Sequence, residues 1–499
     1  MNPELDFDDV QGLVRFAFGK MHRAYFYLLR VKDMGAARAW LLNAHITTAR
    51  ELKPPPATAL QVAFTSDGLK AFGVPSDAIA GFAPEFLSGM AGDESRSRRL
   101  GDLGKNAPGE WRWGAHDRTP HLAVMMYGQE GAMDACEAEF KGPSWDVAFE
   151  VLERLETSHL GDVEPFGFVD GISQPVIDWE GKRKIHGDQL QYSNVASLGE
   201  FLLGYLNEYN EYTDRPLLDA TGKGTADLLP ALDQPQKKDL GRNGTYLVMR
   251  QLDQDVRRFW RFVDEAAESN PEKRKRIAEA MVGRALDGSP LVPLQDKPVP
   301  GIGENEKDRA YNQFTYASDP NGERCPFGAH IRRSNPRNAD FPNPVKGMIS
   351  HLLQTLGFGR KSIRDDLMSP TRFHRLLRRG REYGDKLTPE DALKDKPDTS
   401  VHGLHFICIN SNIARQFEFV QGAWLMSTKF NGLSEESDPL MGNREPVRGC
   451  PDPNMFSVPN GNGLRQLCTG LPQFVTVRGG AYFFLPSIRA LRYFATVGT

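Results

Sequence analysis

A carboxylate, an imidazole and a guanidinium suffice for proton transfer and for stabilising developing charge, and three short segments of this chain offer them in suggestive settings. In EPFGFVDGISQP (164–175), Gly167 and Gly171 bracket Asp170. Glycines on both sides let backbone crowd close to a ligand while one carboxylate projects; Asp-Gly is equally a common turn dipeptide. In ERCPFGAHIRRSNPR (323–337), a Pro- and Gly-containing turn leads into Ala329-His330-Ile331-Arg332, which reads as a short strand ended by Asn335-Pro336. A lone histidine there is either a ligand or a satisfied structural residue. HRLLRRGREYG (374–384) carries Arg378 and Arg379 after an apolar pair. They are permanent cations, serving a site or forming a solvated face.

Weaker signals lie nearby. His402 and His405 in HGLH point to opposite faces if they sit on a strand, which argues against a metal pair. Cys325-Pro326 and Cys450-Pro451 admit a thiolate ligand. Tyr205, Tyr209 and Tyr212 have helical spacing, as in a packing stripe or an electron relay.

These residues need a scaffold, and the chain is long enough for two to four domains, at ~100–200 residues each. Its 499 residues are 40% hydrophobic and 25% charged, which permits a sizeable core and excludes compositional disorder. Lys and Arg number 61 against 65 Asp and Glu, a net charge of −4. That balance speaks against nucleic acid or an anionic membrane and for a small-molecule partner. No run of ~18 apolar residues suggests a membrane span. The start, MNPELDFDDV, has no basic region followed by an apolar core. Five irregularly spaced cysteines fit reduced thiols better than a disulfide frame. The cytoplasm is the expectation, with secretion left open if the N-terminus is processed.

The chain also echoes itself. At a constant offset of 220, AYFYLLRVKDMGAARAWL (24–41) meets GTYLVMRQLDQDVRRFWR (244–261), matching Arg30 with Arg250, Asp33 with Asp253, Arg38 with Arg258 and Trp40 with Trp260. Each copy reads as a strand, an Asp N-cap and an amphipathic helix. FTSDGLKAF (64–72) similarly resembles INSNIARQF (409–417), and HLAVMMYG (121–128) and FVTVRGGAYFFLP (474–486) read as strands. Repeated strand–helix–strand units predict an α+β protein of two ferredoxin-like domains, each an antiparallel sheet with peripheral helices. The GRNG turn (241–244) divides them into residues 1–240 and 241–499. Long Gly-, Pro- and charge-rich stretches between the matched pieces are expected to cover a site.

Taken together, the three segments resemble the dye-decolourising peroxidases, in their long form. GFVDG matches the family's GxxDG motif, CPFGAHIRRSNPR its haem-ligand segment, and LLRRGREYG the segment with its distal arginine. GLHFICINSNIARQFEFVQGAW (403–424), DPLMG (438–442) and VRGGAYFFLPS (477–487) extend the likeness, in family order. The resemblance implies the dimeric α+β barrel type of fold and one non-covalent haem b per chain in the C-terminal half. His330 would be the proximal iron ligand, as is usual in peroxidases. Asp438 would receive its other ring N–H. Asp170 and Arg378 would stand on the distal face, Leu404 and Phe406 would line the pocket, and Arg332 and Arg337 would meet the haem propionates.

Implied with these roles is hydrogen peroxide reduction through an oxo-ferryl intermediate. Asp170 would act as acid–base and Arg378 as the cation over the developing anion. Bulky aromatic donors, anthraquinone or azo dyes and phenolics, would then be oxidised one electron at a time. A carboxylate at this post favours acid conditions for dye oxidation. The competing reading is a haem carrier or sensor on the same fold. One departure from compact family members is the insertion at 338–370, between His330 and Arg378.

Overall fold

The computed structural model describes residues 5–497 apart from 130, 183–191, 297, 298, 300, 304, 338–370, 396–399, 448 and 461–464. The 338–370 insertion therefore lies outside the described residues. Runs of β-branched and aromatic residues form the strands of one large sheet. The first half supplies β1 (Arg23–Val31), β2 (Thr58–Phe64), β3 (Leu122–Gly128) and β4 (Phe149–Glu156). The second supplies β5 (Thr245–Gln254), β6 (Leu377–Arg378), β7 (Arg381–Tyr383), β8 (Gly403–Asn410) and β9 (Val475–Leu485).

Hydrogen bonding orders them β6-β8-β5-β9-β2-β3-β1-β4, with β7 also on β8, and the pairings are antiparallel. Taken by halves, the order is β4-β1-β3-β2 and β9-β5-β8-β6/β7. Each is the fourth-first-third-second order of a ferredoxin-like unit, so the chain is α+β with that unit folded twice. The two meet edge to edge where Phe484 pairs with Phe64. The sheet is open among the described residues, and so differs from the barrel expected from the resemblance.

The first echo holds as a kind of unit but not in register. Asp33 caps the helix Met34–Asn43 by accepting the Ala36 N–H at 2.7 Å. In the second half the cap of Val256–Ala266 is Asp255, accepting from Arg258 at 2.9 Å, two residues beyond the expected Asp253. Asp253 is instead the penultimate residue of β5 and accepts the Tyr383 hydroxyl at 2.6 Å. The offset of 220 also mixes faces: side chains alternate along a strand, and the positions it matches point to opposite sides of the sheet. Tyr27 and Leu29 pack beside Trp40 on the helix side, which turns Arg30 away, whereas Arg250 shares the helix-side face with Leu252. The second echo joins unlike positions: 64–72 leaves the second strand of its unit, 409–417 the third.

One face of the sheet carries the helices and a core containing Tyr27, Trp40, Trp145, Phe259 and Trp260. The other is covered by irregular chain through Leu13, Phe18, Leu198, Phe201 and Leu202. All five cysteines are buried and unpaired. Among the described residues no helix is long and apolar enough to cross a membrane.

Candidate functional site

His330 opens a short helix, His330–Ser334, where a strand was expected. The turn before it closes with Ala329 N–H on the Pro326 carbonyl. Pro336 disfavours helical backbone at Asn335 and ends it there. Two buried arginines clamp the helix in place. Arg333 donates to the carbonyls of Trp424 and Ser427, both at 2.9 Å, and Arg332 to Asp319 at 2.9 Å. The change of element explains a second correction. On a strand, residue i+2 shares the face of residue i; on a helix it lies almost opposite. His330, Ile331, Ser334, Asn335 and Arg337 line a common cavity and Arg332 does not. The guanidinium of Arg332 is committed to Asp319 and the Cys325 carbonyl, so the structure does not bring it to the expected propionate position.

Beneath His330, the fully buried Asp438 accepts from Nδ1 at 3.0 Å through Oδ2. Its Oδ1 is held by the N–H groups of Leu440 (2.9 Å) and Met441 (2.8 Å). Burial works against charge on both partners, but their mutual attraction prevails: Asp438 is held below the usual carboxylate range and His330 above the usual imidazole range. Nδ1 is thereby fixed as the donor and Nε2 is left for another partner.

Asp170 belongs to the same cavity. Gly167 (φ 99°) and Gly171 (φ 73°) hold backbone conformations that L side chains rarely adopt, and this lets the loop double back around the carboxylate. Neither glycine lines the cavity; their part is to shape the loop. Arg378 reaches both Asp170 oxygens through Nη1, at 3.0 and 3.2 Å. Its own N–H donates to Gln174 Oε1 at 2.9 Å. Burial raises the pKa of Asp170, but Arg378 and the Gly171 N–H outweigh it and hold the carboxyl below its usual range. Arg379 turns the other way, to the Leu13 and Val14 carbonyls. Arg378 is thus the arginine that meets Asp170.

The cavity measures about 1770 Å³ with its open mouth included, and Leu404 and Phe406, two apart on β8, both face it. That figure takes in open solvent; the enclosed part, about 270 Å³, is lined largely by apolar side chains, as ligand pockets usually are. Arg337 and Arg375 line it, and the buried Nε of each has no partner among the described residues. Arg337 holds a strained φ of 55° beside Phe314. A flat macrocycle with carboxylates, bound axially by an imidazole, fits this donor set: one ring nitrogen over a fixed carboxylate, apolar walls and buried guanidinium atoms.

Sequence reasoning missed Glu164 and His374, both cavity residues, and set Arg375, which also lines the cavity, behind Arg378 on spacing to Tyr383-Gly384. Each stood inside a quoted segment, but nothing in the sequence marks burial. Burial pushes the His374 imidazole down to about 4, and its ring stacks on Phe419 at 3.8 Å. Cys325 and Cys450 are not among the lining residues. The three tyrosines lie in a bend, a turn and an isolated bridge rather than a helix.

No family model matches the chain. Among curated proteins it is 28% identical over 520 residues to the dye-decolorizing peroxidase msp1 of Mycetinis scorodonius, covering 98% of this chain and 87% of that protein. It is 27% identical over 453 residues to the multifunctional dye peroxidase DyP2 of Amycolatopsis sp., covering 87% and 81%. Two crystal structures share its fold at 22% identity over 99% of this chain and 100% of theirs. One is AauDyP complexed with imidazole (TM-score 0.70) and the other a dye-decolorizing peroxidase with 2,6-dimethoxyphenol (TM-score 0.71).

Proposed function

The chain is a peroxidase related over nearly its whole length to the dye-decolorizing peroxidases, and we propose that it holds one non-covalent haem b through His330 and uses hydrogen peroxide to oxidise bulky aromatic donors. One observation carries this reading: His330, backed by the buried Asp438, and the Asp170–Arg378 pair, drawn from segments far apart in sequence, meet at one cavity. The units 1–240 and 241–499 remain our division of the chain, with the ligand histidine in the second. Five buried, unpaired thiols support a reducing, cytoplasmic setting.

Bound haem would supply the redox chemistry, accepting two oxidising equivalents from peroxide and passing them on singly. The protein's part is placement and proton movement. His330 Nε2 offers the iron a ligand made more electron-donating by Asp438. Asp170, kept ionised by Arg378, would take a proton from bound peroxide and return it to the departing oxygen. Arg378, held beside it, would offer the developing anion a charge that needs no reorganisation. Arg337 and Arg375 offer cations to the haem carboxylates. Leu404 and Phe406 keep bulk water from the reacting oxygens. With a carboxylate as the proton carrier, dye oxidation is expected to run fastest well below neutrality.

A visible spectrum and a stopped-flow reaction with peroxide test the reading. A Soret band is expected, lost or altered in His330→Ala. Asp170→Asn is expected to slow the reaction with peroxide while retaining haem. Retained haem with unslowed peroxide reaction in Asp170→Asn would instead favour a carrier or sensor.

A further inference from the structure

Glu164 lines the cavity six residues before Asp170 and has no part in the chemistry above. Its Oε1 accepts the Phe168 N–H at 3.1 Å; its Oε2 accepts the Phe166 N–H at 3.1 Å and the Gln254 amide at 2.9 Å. The backbone of the same residue closes the loop, donating to the Phe168 carbonyl at 2.9 Å and accepting from Gly167 N–H at 2.8 Å. Trp260 pins the turn from outside through the Phe166 carbonyl at 3.1 Å. Residues 164–168 are thus knotted around one carboxylate, and Asp170 follows two positions later.

We propose that Glu164 is the positioning residue for Asp170: its carboxylate knots the loop that holds Asp170 against Arg378, and a change in its charge loosens that placement. The proposal rests on the reading of Asp170 as the acid–base group. A charged acceptor binds N–H groups roughly twice as strongly as a neutral one, so protonation weakens the knot while leaving it formed. Burial above all, with a contribution from the charge of Asp170, pushes the Glu164 carboxyl up to about 7, against its three hydrogen bonds. The charged or titratable side chains lining the cavity with it are Asp170, Arg250, Arg284, His330, Arg337, His374, Arg375 and Arg378.

The test uses the haem-loaded protein and its Glu164→Gln, Glu164→Asp and Asp170→Asn variants. Two readouts are taken from pH 4.5 to 9: the bimolecular rate with hydrogen peroxide and the thermal unfolding midpoint. Wild type is expected to show an inflection near neutrality that Glu164→Gln lacks, since an amide stays neutral throughout. The two rates coincide at low pH and separate by about tenfold at high pH, the worth of one charge-assisted hydrogen bond.

Unfolding supplies a readout independent of turnover. A carboxyl whose folded pKa exceeds its unfolded value stabilises the fold at low pH and loses that contribution as pH rises through the folded value. The wild-type midpoint should therefore fall between about pH 4.5 and 7 more steeply than that of Glu164→Gln. Parallel rate profiles for wild type and Glu164→Gln overturn the proposal. If Glu164→Gln does not fold, Glu164→Asp decides: a shifted inflection supports the proposal and an unmoved one overturns it. An undiminished rate in Asp170→Asn would overturn the underlying reading instead, whatever Glu164 does.

Discussion

The two halves of the sheet have the same strand order and opposite interiors. In the first, the space between strands and helices is packed with rings: Trp145 meets Tyr27, Trp40 and Phe149 edge-on at 5.2–5.5 Å. In the second, the equivalent face of β5 and β8 presents Leu252, Gln254, Leu404 and Phe406 to open space. The helix Val256–Ala266 still packs there through Phe259 and Trp260, so the scaffold is not looser. What differs is that segments 164–175, 330–337 and 374–378 arrive over the second face bearing charge. The same unit becomes a core when aromatic side chains fill it, and a site when polar loops roof it.

The sharpest way to break this comparison is to remove one residue from each interior. His330→Ala should abolish normal haem binding, read from the Soret band, at a smaller cost in stability, because the buried Asp438 keeps the Leu440 and Met441 N–H groups. Trp145→Ala should do the reverse, keeping the haem spectrum and costing about 3–5 kcal/mol of stability in a denaturant titration. Haem loss from the Trp145 variant alone would show that the two interiors are not independent.

Next in size is the distal pair. Asp170→Asn should slow the reaction with peroxide by about 10²–10⁴-fold, the usual worth of a positioned acid–base group. Arg378→Leu should also move a titration. With the guanidinium gone, burial is opposed only by the Gly171 N–H and the charge of His330, and the carboxyl rises from its depressed position. The pH below which the peroxide rate declines should therefore move up towards neutrality. An acid limb at the wild-type position would mean that Asp170 does not set it.

A third test lies where the halves meet. Asp102, from the first half, pairs with Arg250 on β5, and both are almost completely buried. Arg250→Met should cost about 3–5 kcal/mol, because it strands a buried carboxylate. Burial already pushes Asp102 up to about 6 with the guanidinium present. The deficit of the variant should be largest above that pH and shrink as acid supplies the proton. A pH-independent deficit in thermal unfolding would assign the loss to packing alone.

Much of this was legible in the chain, and the failures are instructive. Repetition of strand, cap and helix revealed the duplicated unit, since caps and hydrophobic periods are local. The register was not legible: Asp253 and Asp255 are both plausible caps, and only the packed sheet selects the second. His330, Asp438, Asp170 and Arg378 were singled out by motifs, and the structure brings His330 to Asp438 and Arg378 to Asp170. Arg332 was misplaced because a five-residue helix between a turn and Asn335-Pro336 has too few residues to show its period. Glu164 went unread for another reason. Its significance lies in burial and in two N–H groups of its own loop, neither of which leaves a trace in residue type.

The smallest effect tests the support beneath the ligand rather than the ligand itself. Asp438→Asn keeps the shape of the side chain and removes its charge. An amide oxygen can still accept from Leu440 and Met441, so the loop should survive. The atom facing His330 Nδ1 then becomes an N–H₂ group, or the amide flips and loses the backbone bonds; either way the imidazole is less firmly held. Loss of such a partner typically costs 10–100-fold in metal affinity or activity, on the order of 1.4–2.7 kcal/mol. Haem should still bind, more weakly, with a shifted iron reduction potential because the ligand donates less. An unchanged potential and affinity would mean that the 3.0 Å contact orients nothing. The asymmetry between the halves would then rest on the histidine alone.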